Sequence, residues 1–283
     1  MANPVCLSPL KFYESKDWQT HKRSYSYVHI TPLIAPYNTI PSFQFVLSDD
    51  ILGIDSVRFH PMFGNSGYID ATQEMQDAGL ESLRIAIPPS GNIIRVLNFY
   101  GEESPDIGLT EGEYFIELIL HTTNVQEKKH FYSEVICFTN NLDDYIKIRY
   151  RNDSDNFYLK NGVVTFPDRF YFDLYFKTEL GKPNYIFEEE ATKRCGYNFI
   201  ESQISKKVYR FNVIVPEFIC DAMRIIRLCD NKKLFYKNQE YDMLSFNMDV
   251  DWQTQGDLAA VTCEFETDNI IVSLGGCGFA TNE

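Results

Sequence analysis

Hydrophobic and polar residues alternate with a period of two along most of this chain, the periodicity of strands whose two faces meet different surroundings. Between residues 41 and 140 the pattern predicts short strands at 42–47, 56–60, 82–87, 93–100, 112–121 and 130–139. Turn-forming runs separate them, among them Ser48-Asp49-Asp50, Gly64-Asn65-Ser66-Gly67 and Pro88-Pro89-Ser90-Gly91. Evenly spaced short strands with such turns are the pattern of a β-sandwich. The last pair is the clearest. Tyr114, Ile116, Leu118 and Leu120 share one face, and Phe131, Ser133, Val135 and Cys137 alternate with Tyr132, Glu134, Ile136 and Phe138. It reads as the closing hairpin of an immunoglobulin-like domain, without the Cys–Trp–Cys core of antibody domains. The stretch 68–79 reads as a short helix or an excursion between strands.

Residues 1–40 are irregular, because Pro4, Pro9, Pro32, Pro36 and Pro41 remove backbone donors. Only 24–30 alternates like a strand there. A polar junction at 140–144 divides the chain. Beyond it, strands are predicted at 145–150, 170–177, 208–215, 233–237, 243–252 and 259–267. The stretch 184–205 carries Glu188-Glu189-Glu190 next to Lys193-Arg194 and reads as a hairpin or extended loop with a solvated tip, or else as a charge contact between subunits.

One segment breaks the period. In 216–230, Phe218, Ile219, Ala222, Ile225, Ile226 and Cys229 recur at three- and four-residue steps, which predicts a helix with one apolar stripe. Pro216 suits the first turn and Glu217 the positive helix end. Asp221, Arg224 and Arg227 take the other side, the first place to expect contact with a neighbouring subunit. The predicted fold is therefore mainly β. An extended arm (1–40) leads to an immunoglobulin-like β-sandwich (41–140). A β-sandwich or barrel domain with one flanking helix (141–270) and a tail (271–283) follow.

Composition agrees with a folded β protein. Of 283 residues, 44% are hydrophobic, with 22 Phe and 18 Tyr, rings that suit a pleated surface. The net charge is −14, with 9 basic against 17 acidic residues up to 140 and 17 against 23 beyond. Neither half offers the basic stripe of a nucleic-acid clamp. Seven cysteines occur, with no C-x-x-C; Cys137, Cys220, Cys229 and Cys263 lie in apolar contexts and read as core thiols. The first residues lack a basic run followed by an apolar one, so no signal peptide is expected and synthesis in a cytoplasm is.

Chemistry-bearing motifs are sparse. No G-x-S-x-G, H-E-x-x-H, Walker loop or dinucleotide glycine pattern occurs. His21, His29, His60, His121 and His130 are scattered, so a zinc site would need wholly non-local assembly. Asp249 and Asp251, two apart, share one strand face and read as solvent-facing rather than as a glycosidase pair. Asp153-Ser154-Asp155 resembles the start of a calcium loop that lacks its glycine and glutamate. Gly275-Gly276-Cys277-Gly278 is too short for a phosphate loop. The sequence thus nominates no catalytic, cofactor-binding or metal-ligating residue.

The stretch 182–268 resembles tail and virion proteins of phages infecting gut Bacteroidetes, including the crAss-like phages. The residues that carry the likeness are GKPNYIFEEE, RCGYNFIESQISKKVYRFNVIVPEFICDAMRIIRL and NMDVDWQTQGDLAAVTCEFETD, with YSEVICF and YIKIRYRN ahead of them. The resemblance implies a structural subunit of a tail, neck, hub or baseplate, located in the virion and without enzyme activity. It implies partners in copies of itself in a ring and in other tail or neck proteins, with no sequence-specific nucleic-acid binding and no membrane. It also implies a second domain like those of tail tubes, and an acidic surface past which DNA moves. The alternative is a baseplate or receptor-binding adhesin that holds glycans on exposed aromatics.

Overall fold

A computed structural model describes residues 8–14, 32–37, 39–48, 50–63, 67–87, 92–99, 101, 105–124, 127–151, 156–159, 162–165, 171–194, 196–253 and 258–273. The fold is mainly β, with two helices among these residues. The first lobe holds β1 (Phe12–Glu14), β2 (Leu33–Pro36), β3 (Phe43–Ser48), β4 (Ile51–Pro61), β5 (Ile69–Asp70), α1 (Thr72–Asp77), β6 (Glu81–Ile87), β7 (Asn92–Phe99), β8 (Gly112–Thr122), β9 (Lys128–Ser133) and β10 (Ile136–Thr139). The second holds β11 (Tyr145–Arg151), β12 (Asn156–Leu159), β13 (Gly162–Thr165), β14 (Phe172–Lys177), β15 (Asn184–Arg194), β16 (Tyr197–Pro216), α2 (Glu217–Ile226), β17 (Asn231–Tyr236), β18 (Gln239–Asp242), β19 (Ser245–Trp252) and β20 (Leu258–Ser273).

In the first lobe, one sheet runs β1-β9-β8-β10-β2 with β4 and β5 on the far side of β8, and a smaller one runs β3-β7-β6. Their apolar faces share a core in which Phe43 lies 5.0 Å from Phe12 and 5.5 Å from Phe99, ring centre to ring centre. A buried cross-strand pair, Gln44 Nε2 donating to Asn98 Oδ1 at 2.6 Å, adds register to the smaller sheet.

The strand predicted at 130–139 is two. At Ser133 the side chain accepts from the Ile116 amide at 2.8 Å and donates to the Glu134 carbonyl at 2.7 Å, which interrupts the ladder. The outer neighbour changes there, from antiparallel β1 to parallel β2. Two pieces of the predicted arm, 12–14 and 33–36, are therefore strands of this sheet. The predicted strand at 24–30, the Asp153–Asp155 turn and the glycine run at 275–278 lie outside the described residues, as do Cys6, Cys195 and Cys277.

In the second lobe, a β14-β11-β17-β18 sheet faces a β15-β16-β20-β19 sheet. Ile146, Ile148, Tyr150, Leu174 and Leu234 meet Phe211, Val213, Val261, Cys263 and Phe265 in the core. Helix α2 continues directly from β16. Pro216 is the residue before its first turn (φ −75°, ψ 168°) and Glu217 opens the helix. The buried stripe is Phe218, Ile219, Cys220, Ala222, Met223 and Ile226. Met223 takes the central place that the spacing assigned to Ile225, which is half-buried. Of the predicted polar side, Asp221 accepts from Lys11 Nζ at 2.6 Å and so joins the two lobes of one chain. Arg224 is largely exposed. Cys220, Cys229 and Cys263 are buried thiols, as their apolar contexts predict, while Cys137 is only half-buried; burial pushes Cys229 up to about 12 and Cys220 up to about 11.

Because Ile226 is fully buried, Ile226→Ala should leave an uncollapsed hole and cost about 2–5 kcal/mol in urea unfolding. Arg224→Ala, on the exposed side, should change stability by under about 0.5 kcal/mol.

Candidate functional site

β16 is 20 residues long, far beyond the usual strand of about five or six. Its C-terminal part belongs to the core. There Tyr209, Phe211, Val213 and Val215 are buried while Arg210, Asn212 and Ile214 face out. A register shift between Lys206 and Val208 marks the change. Before it, β15, β16 and the end of β20 continue as a three-stranded ribbon past β19, whose pairing with β20 begins at Ser245 opposite Glu266. The hairpin closes at Gly196, whose φ of +90° suits glycine. The stretch 184–205, predicted as a hairpin or extended loop, is this hairpin.

The ribbon exposes apolar side chains on both faces. Phe187, Ser205 and Ile270 form one cross-strand row, and Phe187 and Ile270 are 73% and 66% exposed. Tyr185 lies on the same face, and Ile271 lies on the other. The acidic run is paired inward: Glu188 accepts from Lys206 Nζ at 2.7 Å, Glu189 from Gln203 at 2.8 Å, and Glu190 from the Ser202 hydroxyl at 3.1 Å. The outer edge of β15 has no strand beside it among the described residues.

A second cluster lies on the outer face of the large sheet. Glu117 on β8 is buried, and four donors converge on it. His60 Nε2 lies 2.9 Å from one carboxylate oxygen, and His130 Nδ1 and the Tyr132 hydroxyl each lie 2.9 Å from the other. Arg58 stands 3.7 Å away. The register explains the gathering: Arg58 and Tyr132 are direct cross-strand partners of Glu117, and His60 and His130 sit two residues along β4 and β9. His60 stacks on Phe115 at 4.8 Å. Burial works to raise the carboxyl, but the bonds from His130, His60 and Tyr132 outweigh it and hold it below its ordinary 4.5. Tyr132 moves the opposite way, up to about 12, through burial and its bond to Glu117. The linear spacing of the histidines hid this site, yet one signal was present: Glu117 is the single charge in the apolar run 114–120. No group of three His, Cys, Asp or Glu side chains among the described residues is placed to hold a metal ion.

The junction of the lobes holds a cavity of about 430 Å³, walled by Ala35, Pro36 and Ile40 on one side and by Lys147, Arg149 and Tyr171 on the other. Arg149 donates to both Asp173 oxygens at 2.8 Å and stacks 3.6 Å over Tyr171. Gly101 makes the close approach possible, since a Cβ there would stand 2.5 Å from the Ile40 carbonyl oxygen. Nearby, an apolar groove of about 840 Å³ runs between Leu33, Phe176 and Ile214. Asp249 and Asp251 lie exposed on β19, on the solvent side.

No protein family, curated protein or solved structure matches the chain.

Glu117→Gln keeps the shape but sets an amide among groups that already donate. It should cost about 1–3 kcal/mol in chemical unfolding. The folded carboxyl binds its proton less readily than the unfolded one, so its contribution is present above about 4.5 and lost as pH falls through the lower folded value. The variant's stability should be flatter than the native chain's across that acid limb, and parallel curves would count against the assignment.

Proposed function

We propose that this chain is a structural subunit of a virion, assembling with copies of itself and with neighbouring proteins in the tail or neck of a phage. The observation that carries the reading is the ribbon. Three strands run beyond the core and hold Tyr185, Phe187, Ile270 and Ile271 in water, where an isolated chain gains nothing from them. Such a surface is consistent with burial against another subunit. The resemblance of 182–268 to Bacteroidetes phage tail proteins suggests the particle, and covers β15, β16 and α2 but not the end of β20. A net charge of −14 suits a ring that DNA passes without sticking. Neither reading calls for a reaction or a cofactor.

The junction cavity favours a second reading, a baseplate or receptor-binding adhesin. Tyr171 and Arg149 line a space that fits a small sugar. A glycan array separates the two, because a subunit without a sugar site gives no binder above background.

The purified chain should form a closed assembly of several copies by native mass spectrometry, and should be found in particles from cells that carry the gene. A chain that stays monomeric at about 100 μM and is missing from particles would overturn the reading. Phe187→Ser/Ile270→Ser should weaken assembly tenfold or more without lowering the melting temperature, since neither side chain is buried in the core.

A further inference from the structure

We propose that the open edge of β15 pairs with β15 of a second copy, antiparallel, in the register that sets Ala191 opposite Ala191. β15 has 11 residues and, among the described residues, one strand neighbour, β16, so no strand there takes its outer amides and carbonyls. A long exposed edge of this kind is a template for another strand. Single-signed charge commonly blocks such an edge. Here the charges change sign along the strand, reading Glu188-Glu189-Glu190-Ala191-Thr192-Lys193-Arg194.

The sign change selects one register. Two copies of a strand related by a two-fold axis normal to the sheet place residues equally distant from the axis opposite each other, on the same face. With the axis at Ala191, Glu189 stands opposite Lys193 and Glu188 opposite Arg194, and symmetry provides each pair twice. Opposite charges directly across an antiparallel pair are favourable and like charges are not. Sliding the register by two residues, so that the axis falls at Glu190, sets Glu190 against itself and leaves Lys193 and Arg194 without an acidic partner in the 188–194 run. Sliding the other way, to Thr192, retains only Glu190 opposite Arg194. An in-register parallel pairing stacks glutamate on glutamate.

The side chains are available for this contact. Glu188, Glu189, Glu190, Ala191 and Lys193 are exposed, and each glutamate's bond to β16 occupies one carboxylate oxygen and leaves the other to accept. Lys193 has no ion-pair partner among the described residues. The pairing would join the two β15-β16-β20-β19 sheets into one continuous sheet. It closes on two copies and cannot by itself propagate a ring, so it is a contact additional to whatever joins ring neighbours. It does not rest on the virion reading.

The test uses the full chain and two charge reversals, Glu188→Lys/Glu189→Lys and Lys193→Glu/Arg194→Glu. Sedimentation should show a salt-sensitive two-fold association in the native chain, weakened at least tenfold in each variant alone. An equimolar mixture of the two variants should restore it as a mixed pair, identified by mass. Ala191→Cys should cross-link to itself on mild oxidation through residue 191, identified by peptide mass, while Asn184→Cys should not. That arm keeps the proposal testable should a reversal fail to fold. Native oligomers that persist in both reversals, or a mixture that restores nothing, would overturn the β15 pairing while leaving the assembly reading standing. A native chain that is monomeric throughout would overturn the pairing, and one that is also missing from particles would overturn the assembly reading with it.

Discussion

β16 is hydrogen-bonded along its whole length, to β15 over Tyr197–Val208 and to β20 over Ser202–Pro216, and the arrangement of the second lobe depends on that. Its pairing with β20 runs from Pro216 opposite Leu258 to Ser202 opposite Ser273. The same two strands thus serve two surroundings. Beyond Val208 the alternation of Tyr209, Phe211, Val213 and Val215 builds a core against β11 and β14. Before Lys206 the ladder continues past the buried core, and the side chains described there are exposed or half-buried. The bulge between the two halves permits the change, because an extra residue bends and twists the strand.

Both lobes hold carboxylates through cross-strand neighbours. In the first lobe, a buried carboxylate sits at the centre of three strands and draws one donor or more from each neighbour. Removing water from Glu117 would be costly alone, and the convergence of His60, His130 and Tyr132 offsets that cost. At the junction, Asp173 is held by Arg149 and Lys147, again as direct or near cross-strand neighbours. In both places strand register, not chain proximity, assembles the cluster. Lys11 and Asp221 add a contact between lobes, tying α2 to the segment before β1.

Much of the fold was legible in the alternation. Strands β3, β6, β7, β8, β11, β14, β17 and β19 lie within a few residues of the runs that predicted them. Helix α2 was legible because its period differs from everything around it, although Met223 rather than Ile225 lies at its buried centre. The ribbon was less legible. Its residues alternate polar with polar, or polar with exposed apolar, so hydrophobic periodicity carried little signal. The hairpin β12–β13 and strand β18 were missed for a related reason, being four-residue elements. The interruption at Ser133 was invisible because a side-chain hydroxyl, not a change in hydropathy, breaks the ladder.

The sequence by itself determined a mainly β chain, one amphipathic helix, buried thiols at Cys220, Cys229 and Cys263, and a charge pattern in β15 that changes sign about Ala191. These are properties of neighbouring residues, and local periodicity reports them. Only the tertiary structure decided that residues 12–14 and 33–36 join the first sheet, that His60, Glu117 and His130 meet, and that β15 is an edge among the described residues. Each of those depends on which strands lie side by side. Pairing between distant segments is set by the packing of the whole core, and no short window of sequence contains it.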